Sequence, residues 1–150
     1  MKLPAFRLLA LDSDLPRPSY AHKGDAGLDL RSRIDAIVPA GGHVLVPTGL
    51  AAAIPVGYAG FIHPRSGLAA KHGITVLNAP GTIDAGYRGE IGVILRNTSN
   101  EAFQVHRADR IAQLVFQQVV TPDLEWVTSL DDTTRGEGGF GSSGGFARSR

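Results

Sequence analysis

Short apolar runs that end at glycine, proline or asparagine recur along almost the whole chain. Runs of this length are typical of strands when they are rich in β-branched or aromatic residues. The frequent breaks favour an all-β fold over long helices. The strands predicted from this pattern are Phe6–Leu11, His43–Val46, Ile74–Leu77, Gly89–Leu95, Arg110–Val120 and Leu124–Val127.

The segment Arg110–Val120 is compatible with two periodicities. Some of its apolar residues stand three and four positions apart, which also fits a helical stripe. In a strand, where successive side chains point to opposite faces, Ala112, Leu114 and Phe116 would instead lie on one face and Gln113 on the other. We interpret the segment as a strand.

One short helix is predicted at Ser66–His72, which contains good helix formers. Ser66 is expected to cap it, and Gly73 stands where a C-terminal cap belongs. The free N–H groups of the first turn, the forked donors of Arg65 and the small Gly67 together suit a phosphate. A capped helix beside a solvated arginine explains the same residues equally well.

A glycine-rich segment, Asn78–Glu90, joins two predicted strands and is expected to form the irregular tip of a hairpin. Backbone groups at such a tip can bind the edge of a planar base. Asn78 offers both a donor and an acceptor, and the carboxylate of Asp84 can orient a water molecule. Both residues also favour turns for purely local reasons, and this segment alone favours that simpler interpretation.

Isolated charged residues offer further candidates. Asp29 lies between two leucines, and a strand there turns the carboxylate outward. It is then either a solvated surface residue or a ligand of hydrated Mg²⁺, which often needs only one or two carboxylates. Arg107, Arg110 and the uncharged Gln113 are candidates for a phosphate site, although a polar strand face explains them as well.

The glycine- and serine-rich segment from Arg135 to Phe146 is either a disordered end or a clasp for a phosphorylated aromatic ligand. Phe140 is suited to stack on a base.

Composition excludes several classes of protein. The chain has 150 residues, which suits one domain, and its net charge of +1 gives no general attraction to nucleic acid or membranes. The absence of cysteine excludes disulfides, thiolate zinc sites and cysteine nucleophiles. The five histidines lack metal-binding spacing. The N-terminal apolar patch is too short for a signal peptide, so a cytoplasmic protein is expected.

Five segments, taken in order, resemble the five motifs of the trimeric dUTP diphosphatase family. They are Ala26–Leu30, Pro64–Ala69, Gly81–Ile91, Arg110–Leu114 and Arg135–Gly144. The first and fourth are weak individually, whereas the second and third are specific. The resemblance covers nearly the whole chain.

This resemblance implies an all-β subunit of the distorted jelly-roll or β-clip type, with one short helix, assembled as a homotrimer. It implies a domain over residues 1–134 and a flexible arm over residues 135–150 that closes over an active site. The implied activity is Mg²⁺-dependent hydrolysis of dUTP to dUMP and pyrophosphate, which removes dUTP and supplies dUMP for thymidylate synthesis.

The resemblance also implies individual roles. Asp84 resembles the aspartate that activates the attacking water, and Tyr87 resembles the tyrosine stacked beneath deoxyribose. Asp29 resembles a carboxylate that holds Mg²⁺ through water. The other implied substrate contacts are Arg65, Ser66, Gly67, Asn78, Thr82, Ile83, Gly92, Gln113, Arg135, Phe140, Gly141 and Ser142.

Three alternatives remain open at this stage. A dCTP deaminase resembles this family in fold, but it would need a catalytic glutamate in place of Asp84. A nucleotide-sensing module would keep the pocket without turnover. A purely structural jelly roll would leave the ordered set of motifs unexplained.

Overall fold

The structure, a computed structural model, describes residues 4–139. The strands and the helix within them are β1 (Arg7–Ala10), β2 (Gly27–Arg31), β3 (Ala36–Val38), β4 (His43–Ala53), β5 (Tyr58–His63), α1 (Ser66–His72), β6 (Ile74–Val76), β7 (Gly81–Ile83), β8 (Glu90–Asn97), β9 (Phe103–Val105) and β10 (Arg110–Gln118).

The strands form two four-stranded sheets, in the orders β1-β4-β8-β6 and β2-β10-β5-β7, and a two-stranded ribbon of β3 and β9. Buried aliphatic side chains from both sheets and the ribbon make one core cluster. The prediction of an all-β subunit of the jelly-roll or β-clip type with one short helix is confirmed. Among residues 4–139, no helix is long and apolar enough to cross a membrane.

The strand interpretation of the fourth motif is confirmed by β10. Ala112 and Leu114 are fully buried, while Gln113 is only half-buried on the opposite face. A register irregularity after Arg110 places Ile111 in the core as well. This bulge explains why the apolar pattern also fitted a helix, since two adjacent residues are buried.

Strand β4 continues well beyond Val46, where the sequence predicted its end. Pro47 does not interrupt it, because this residue directs its carbonyl away from β8 and accepts a hydrogen bond from Arg33 N at 2.8 Å. Proline is tolerated in a strand where its missing N–H is not needed for the ladder.

The predicted strand at Leu124–Val127 is wrong. The segment has no regular secondary structure, and Leu124 and Trp126 are 79% and 95% exposed. Strand propensity is expressed only where a partner strand and a packing surface exist, and the described part of this chain provides neither here.

The bounds of α1 agree with the prediction, and Gly73 adopts the left-handed cap conformation with φ 64°. The predicted cap at Ser66 is wrong. The N-cap residue is Arg65, which has extended backbone angles and makes no side-chain capping bond. The chain turns into the helix directly from the end of β5, so the cap position falls one residue earlier.

The predicted hairpin exists, but its tip is part of the other sheet. Ile74–Val76 pairs with Leu95–Asn97 in an antiparallel ladder. Between these strands, Gly81–Ile83 crosses to the second sheet and pairs with Gly60–Ile62 of β5. The glycine-rich segment therefore connects the two sheets.

A chain of ion pairs joins the loops beside this hairpin. The carboxylate of Asp12 lies 2.7 Å from Nη1 of Arg107 and 3.4 Å from Nε of Arg33. Arg33 in turn lies 3.3 Å from Glu90. Arg107, a candidate for an anion site in the sequence, is therefore committed to Asp12. Its hydrogen bonds hold the pKa of Asp12 at about 2, below the ordinary 3.8.

Replacing Asp12 by asparagine is expected to lower the free energy of unfolding at neutral pH. Because the pKa of Asp12 is depressed in the fold, this stabilisation is complete above pH 3.8 and is lost as the pH falls towards 2. The difference between wild type and Asp12→Asn should therefore shrink over that interval. Urea unfolding across the pH range measures it, with Asp14→Asn as the matched control. A difference that stays constant down to about pH 2 contradicts the assignment.

Candidate functional site

A pocket of about 220 Å³ lies where β7 faces the beginning of β8. We call it the edge pocket. It is lined by Ile62, Asn78, Gly81, Thr82, Ile83, Asp84, Tyr87, Glu90, Ile91 and Gly92. Its lining therefore combines the glycine-rich segment with buried side chains of both sheets.

The strand pairing explains why polar backbone groups line the edge pocket. β6 covers only the far half of β8, and its last bond to that strand runs from Leu77 N to Ile94 O at 2.8 Å. Because backbone groups alternate in direction along a strand, Gly92 also points away from β4, towards the pocket. β7 is itself an edge strand of the second sheet. Two unpaired strand edges thus face the pocket, and their N–H and C=O groups require partners.

Asn78 adds an amide at the rim of this pocket. Gly81 leaves room for it, since a Cβ atom there would lie 3.2 Å from Asn78 Nδ2. Ile62, Ile83 and Ile91 are buried and form an apolar floor. A flat ring with donors and acceptors on its edge matches such a lining.

Tyr87 and Asp84 lie on the exposed side of the edge pocket. Tyr87 Oη donates to the carbonyl of Glu90 at 2.8 Å, and Tyr87 N donates to Asp84 O at 3.1 Å. The phenol ring lies against Gly89, where a Cβ atom would be 2.7 Å from Cζ. Asp84 is exposed, and within residues 4–139 its carboxylate forms no ion pair.

A second pocket, of about 420 Å³, lies on the outer face of the β2-β10-β5-β7 sheet. We call it the arginine pocket. It is lined by Ala21, Asp25, Ala26, Gly27, Asp29, Arg65, Ser66, Gly67, Arg110 and Gln113. It contains the second, smaller set of predicted site residues.

Asp29 organises the charges of the arginine pocket. It turns outward from β2 between two buried leucines, as predicted. Its Oδ1 lies 3.2 Å from Nε of Arg65, and its Oδ2 lies 3.4 Å from Nη1 of Arg110. Asp29 thus bridges two guanidinium groups, whose remaining N–H donors suit an anion.

Two glycines shape the same pocket. The side chain of Gln113 lies directly over Gly27, where a Cβ atom would displace its amide group, and Gln113 Nε2 donates to Pro64 O at 3.0 Å. Gly67 has open space where its Cβ atom would be, which leaves the first turn of α1 accessible. A ligand can therefore approach the backbone of Ser66 and Gly67 closely.

The two pockets have no lining residue in common. Ile62 reaches the edge pocket from the core side of the second sheet, whereas Gln113 projects from its outer face. The edge pocket gathers six predicted residues, and the arginine pocket gathers Asp29, Arg65, Ser66, Gly67 and Gln113.

Of the site residues expected in the C-terminal arm, Arg135 is the one that the structure describes. Arg135 lines neither of them, is exposed and donates to Gly138 O at 2.8 Å. Phe140, Gly141 and Ser142 lie outside the described residues. Glu90 lines the edge pocket but was not among the site residues predicted from the sequence. Nothing in its local sequence distinguishes it from an ordinary surface glutamate.

The residues present fit one form of Mg²⁺ binding. Among residues 4–139, no group of three or more histidine or acidic side chains is arranged to hold a metal ion. Asp25 and Asp29 both line the arginine pocket, and Asp29 is the carboxylate that lies between its two arginines. This donor set suits a hydrated ion held mainly by phosphate oxygens, with the carboxylate bonded to its water.

The fold and the paired pockets place the chain in the jelly-roll or β-clip class of all-β subunits. The model of the dUTPase family matches residues 13–144. The chain belongs to the dUTPase family, as its five motifs predicted.

Curated relatives agree with this assignment. The deoxyuridine 5'-triphosphate nucleotidohydrolase of Rhodococcus erythropolis is 60% identical over 141 residues, which cover 93% of this chain and 86% of the relative. The protein of the same name from Mycolicibacterium vanbaalenii is 57% identical over 146 residues, covering 93% and 95% of the two chains.

Solved structures are similar as well. The dUTPase of Staphylococcus bacteriophage 80alpha with dUPNHPP has a TM-score of 0.86 and 29% identity, covering 95% of this chain and 99% of that one. A mutant dUTPase from phage phi11 of S. aureus, described with a structural Mg(II) ion, has a TM-score of 0.77 and 26% identity, covering 84% and 98%.

Proposed function

We propose that this chain hydrolyses dUTP to dUMP and pyrophosphate in the presence of Mg²⁺, as a cytoplasmic homotrimer. The observation that carries the proposal is the edge pocket, where two strand edges without a strand partner among residues 4–139 lie beside the exposed carboxylate of Asp84. The names of the curated relatives support the same substrate.

Uracil recognition follows from hydrogen-bond polarity. Uracil offers a donor at N3 and an acceptor at O4, whereas cytosine inverts both. Asn78 and the backbone from Ile83 to Gly92 are assigned to this edge of the base. With the wrong base their buried groups remain unpaired, which can discriminate by ~10⁴-fold. Tyr87 is assigned to the deoxyribose, where its ring leaves no room for a 2′-hydroxyl.

Asp84 is assigned as the general base. It accepts a proton from the water whose oxygen attacks the α-phosphorus, while the bond to the bridging oxygen breaks and pyrophosphate leaves. A positioned base of this kind contributes ~10²–10⁴-fold.

The triphosphate is assigned to the arginine pocket. Arg65, Gln113 and the N–H groups of Ser66 and Gly67 bind its oxygens, where positioned donors stabilise developing charge. Mg²⁺, when bound, neutralises charge on the phosphates, and Asp29 would hold it through water.

The separation of the two pockets supports an active site that two neighbouring subunits share. We assign the edge pocket of one subunit and the arginine pocket of a neighbour to the same active site. Residues 135–150 form the closing arm in this proposal, with Phe140 over the uracil and Arg135, Gly141 and Ser142 at the phosphates. The exposed Leu124 and Trp126, which precede the arm, favour contact with another subunit.

The deaminase and the nucleotide-sensing module are distinguished from the proposed function by their products. A dCTP deaminase would need a glutamate at the position of Asp84, and a nucleotide-sensing module would release no product. The purely structural jelly roll is excluded by membership of the family.

The proposal is tested by product release from dUTP, dCTP, dTTP and UTP with Mg²⁺. We expect pyrophosphate from dUTP, no ammonia from dCTP, and much slower reaction with the other nucleotides. Asp84→Asn should bind dUTP while turnover falls by at least ~10²-fold, because the amide cannot accept the proton. Calorimetry of nucleotide binding separates lost chemistry from lost affinity.

Ammonia release from dCTP would identify a deaminase. Nucleotide binding without any product would identify a sensing module. A near-normal rate in Asp84→Asn removes that residue from the base role.

Deleting residues from Arg135 onward is expected to leave a folded trimer with strongly impaired hydrolysis, because closure excludes bulk water and completes the phosphate site. Light scattering checks the assembly, and pyrophosphate release checks the rate. A truncated trimer with the wild-type rate would show that the arm is only a chain end.

A further inference from the structure

We infer that Glu90 is a positioning residue whose anchored side chain fixes the carbonyl that holds the ring of Tyr87. The inference rests on the proposed function, because it assigns a determinant of sugar selectivity at the same site.

β4 contains a bulge opposite Ile91, the residue that follows Glu90. Pro47 pairs with Gly92 and Ala51 with Glu90, so three residues of β4 stand against the single Ile91. A bulge of this kind interrupts the ladder and leaves backbone groups without strand partners. Gly49, at its centre, has φ 68°, a conformation that favours glycine.

Side chains supply the missing partners of this bulge. Oε1 of Glu90 accepts a hydrogen bond from Gly49 N at 2.8 Å. Thr48 Oγ1 donates to the carbonyl of Ile91 at 2.6 Å. The carboxylate of Glu90 therefore takes the place of a strand carbonyl in the ladder, and losing it would leave the N–H of buried Gly49 unpaired.

A second contact restricts the same carboxylate. Nη1 of Arg33 lies 3.3 Å from each oxygen of Glu90, and Arg33 N donates to Pro47 O at 2.8 Å. Arg33 thus binds both the bulge and the side chain that fills it. Glu90 is held from two directions, so its backbone has little freedom.

The carbonyl of Glu90 transmits this restraint to the pocket. It accepts the hydrogen bond of Tyr87 Oη at 2.8 Å, while the ring lies over Gly89. Tyr87 is 46% exposed, so core packing does not fix its ring. The phenol bond and the surface of Gly89 therefore set the ring orientation, and both belong to the backbone that Glu90 anchors.

The experiment measures kcat and KM for dUTP and for UTP in the full-length protein. Glu90→Ala removes both contacts of the carboxylate, whereas Glu90→Gln keeps an acceptor for Gly49 and loses the charge. We expect Glu90→Ala to reduce the preference for dUTP over UTP by about 10-fold. The reason is that a displacement of a positioned group by ~1 Å can lower the rate by up to ~10²-fold. Glu90→Gln should have a smaller effect of the same kind.

Glu101→Gln is the matched control, since Glu101 is exposed and forms no ion pair within residues 4–139. It should leave the preference unchanged. The same Glu90 variants are also made in a protein that carries Tyr87→Phe, which lacks the hydroxyl that donates to the carbonyl of Glu90. In that background Glu90→Ala should change the preference no further, as expected for two residues acting through one contact.

These measurements distinguish a role of Glu90 in positioning Tyr87 from a role in the stability of the fold alone. An equal loss of preference with and without Tyr87→Phe overturns the inference, as does an unchanged preference in Glu90→Ala. If Glu90→Ala does not fold, the same double-mutant comparison is made with Glu90→Gln, and additive effects again overturn it. A wild-type protein that releases no pyrophosphate from dUTP overturns the proposed function instead.

Discussion

The site depends on one topological constraint, namely that the chain leaves one sheet after β6 and returns to it only as β8. In between, β7 pairs with β5 in the other sheet. In the part of the chain that the structure describes, half of β8 and one side of β7 therefore keep backbone groups without strand partners. Exposed edges of this kind normally invite pairing with another chain. Here the two edges face each other across a narrow pocket, so their natural partner is a small planar ligand.

Side-chain contacts stabilise this unusual arrangement. The bulge in β4 is filled by Glu90 and Thr48, and a row of ion pairs continues from Glu90 through Arg33 to Asp12. Within residues 4–139, no buried side-chain polar atom lacks a hydrogen-bond partner. These contacts thus support the hairpin from the side of β4, and the proposed binding pocket needs such support to keep its geometry.

Local signals in the sequence predicted much of this structure. Alternation placed Asp29 outward and Leu114 inward, and the bounds of α1 followed from its helix formers and Gly73. Apart from the helix cap, which falls on Arg65 instead of Ser66, the main errors concern pairing between distant residues. Nothing near Gly81 indicates that it joins the second sheet, and nothing near Leu124 indicates that a partner strand is lacking. The contact between Glu90 and Gly49 spans 41 positions, so no local pattern reveals it.

The central claim is that one active site combines the edge pocket of one subunit with the arginine pocket of another. Mixing unfolded Asp84→Asn and Arg65→Gln chains, refolding them together and measuring pyrophosphate release from dUTP tests it most directly. Each variant alone should be nearly inactive. Random mixed trimers should regain roughly a quarter of the wild-type rate, because some sites then receive both intact residues. If the mixture is no more active than the separate variants, both pockets belong to the same subunit's site and the claim is wrong.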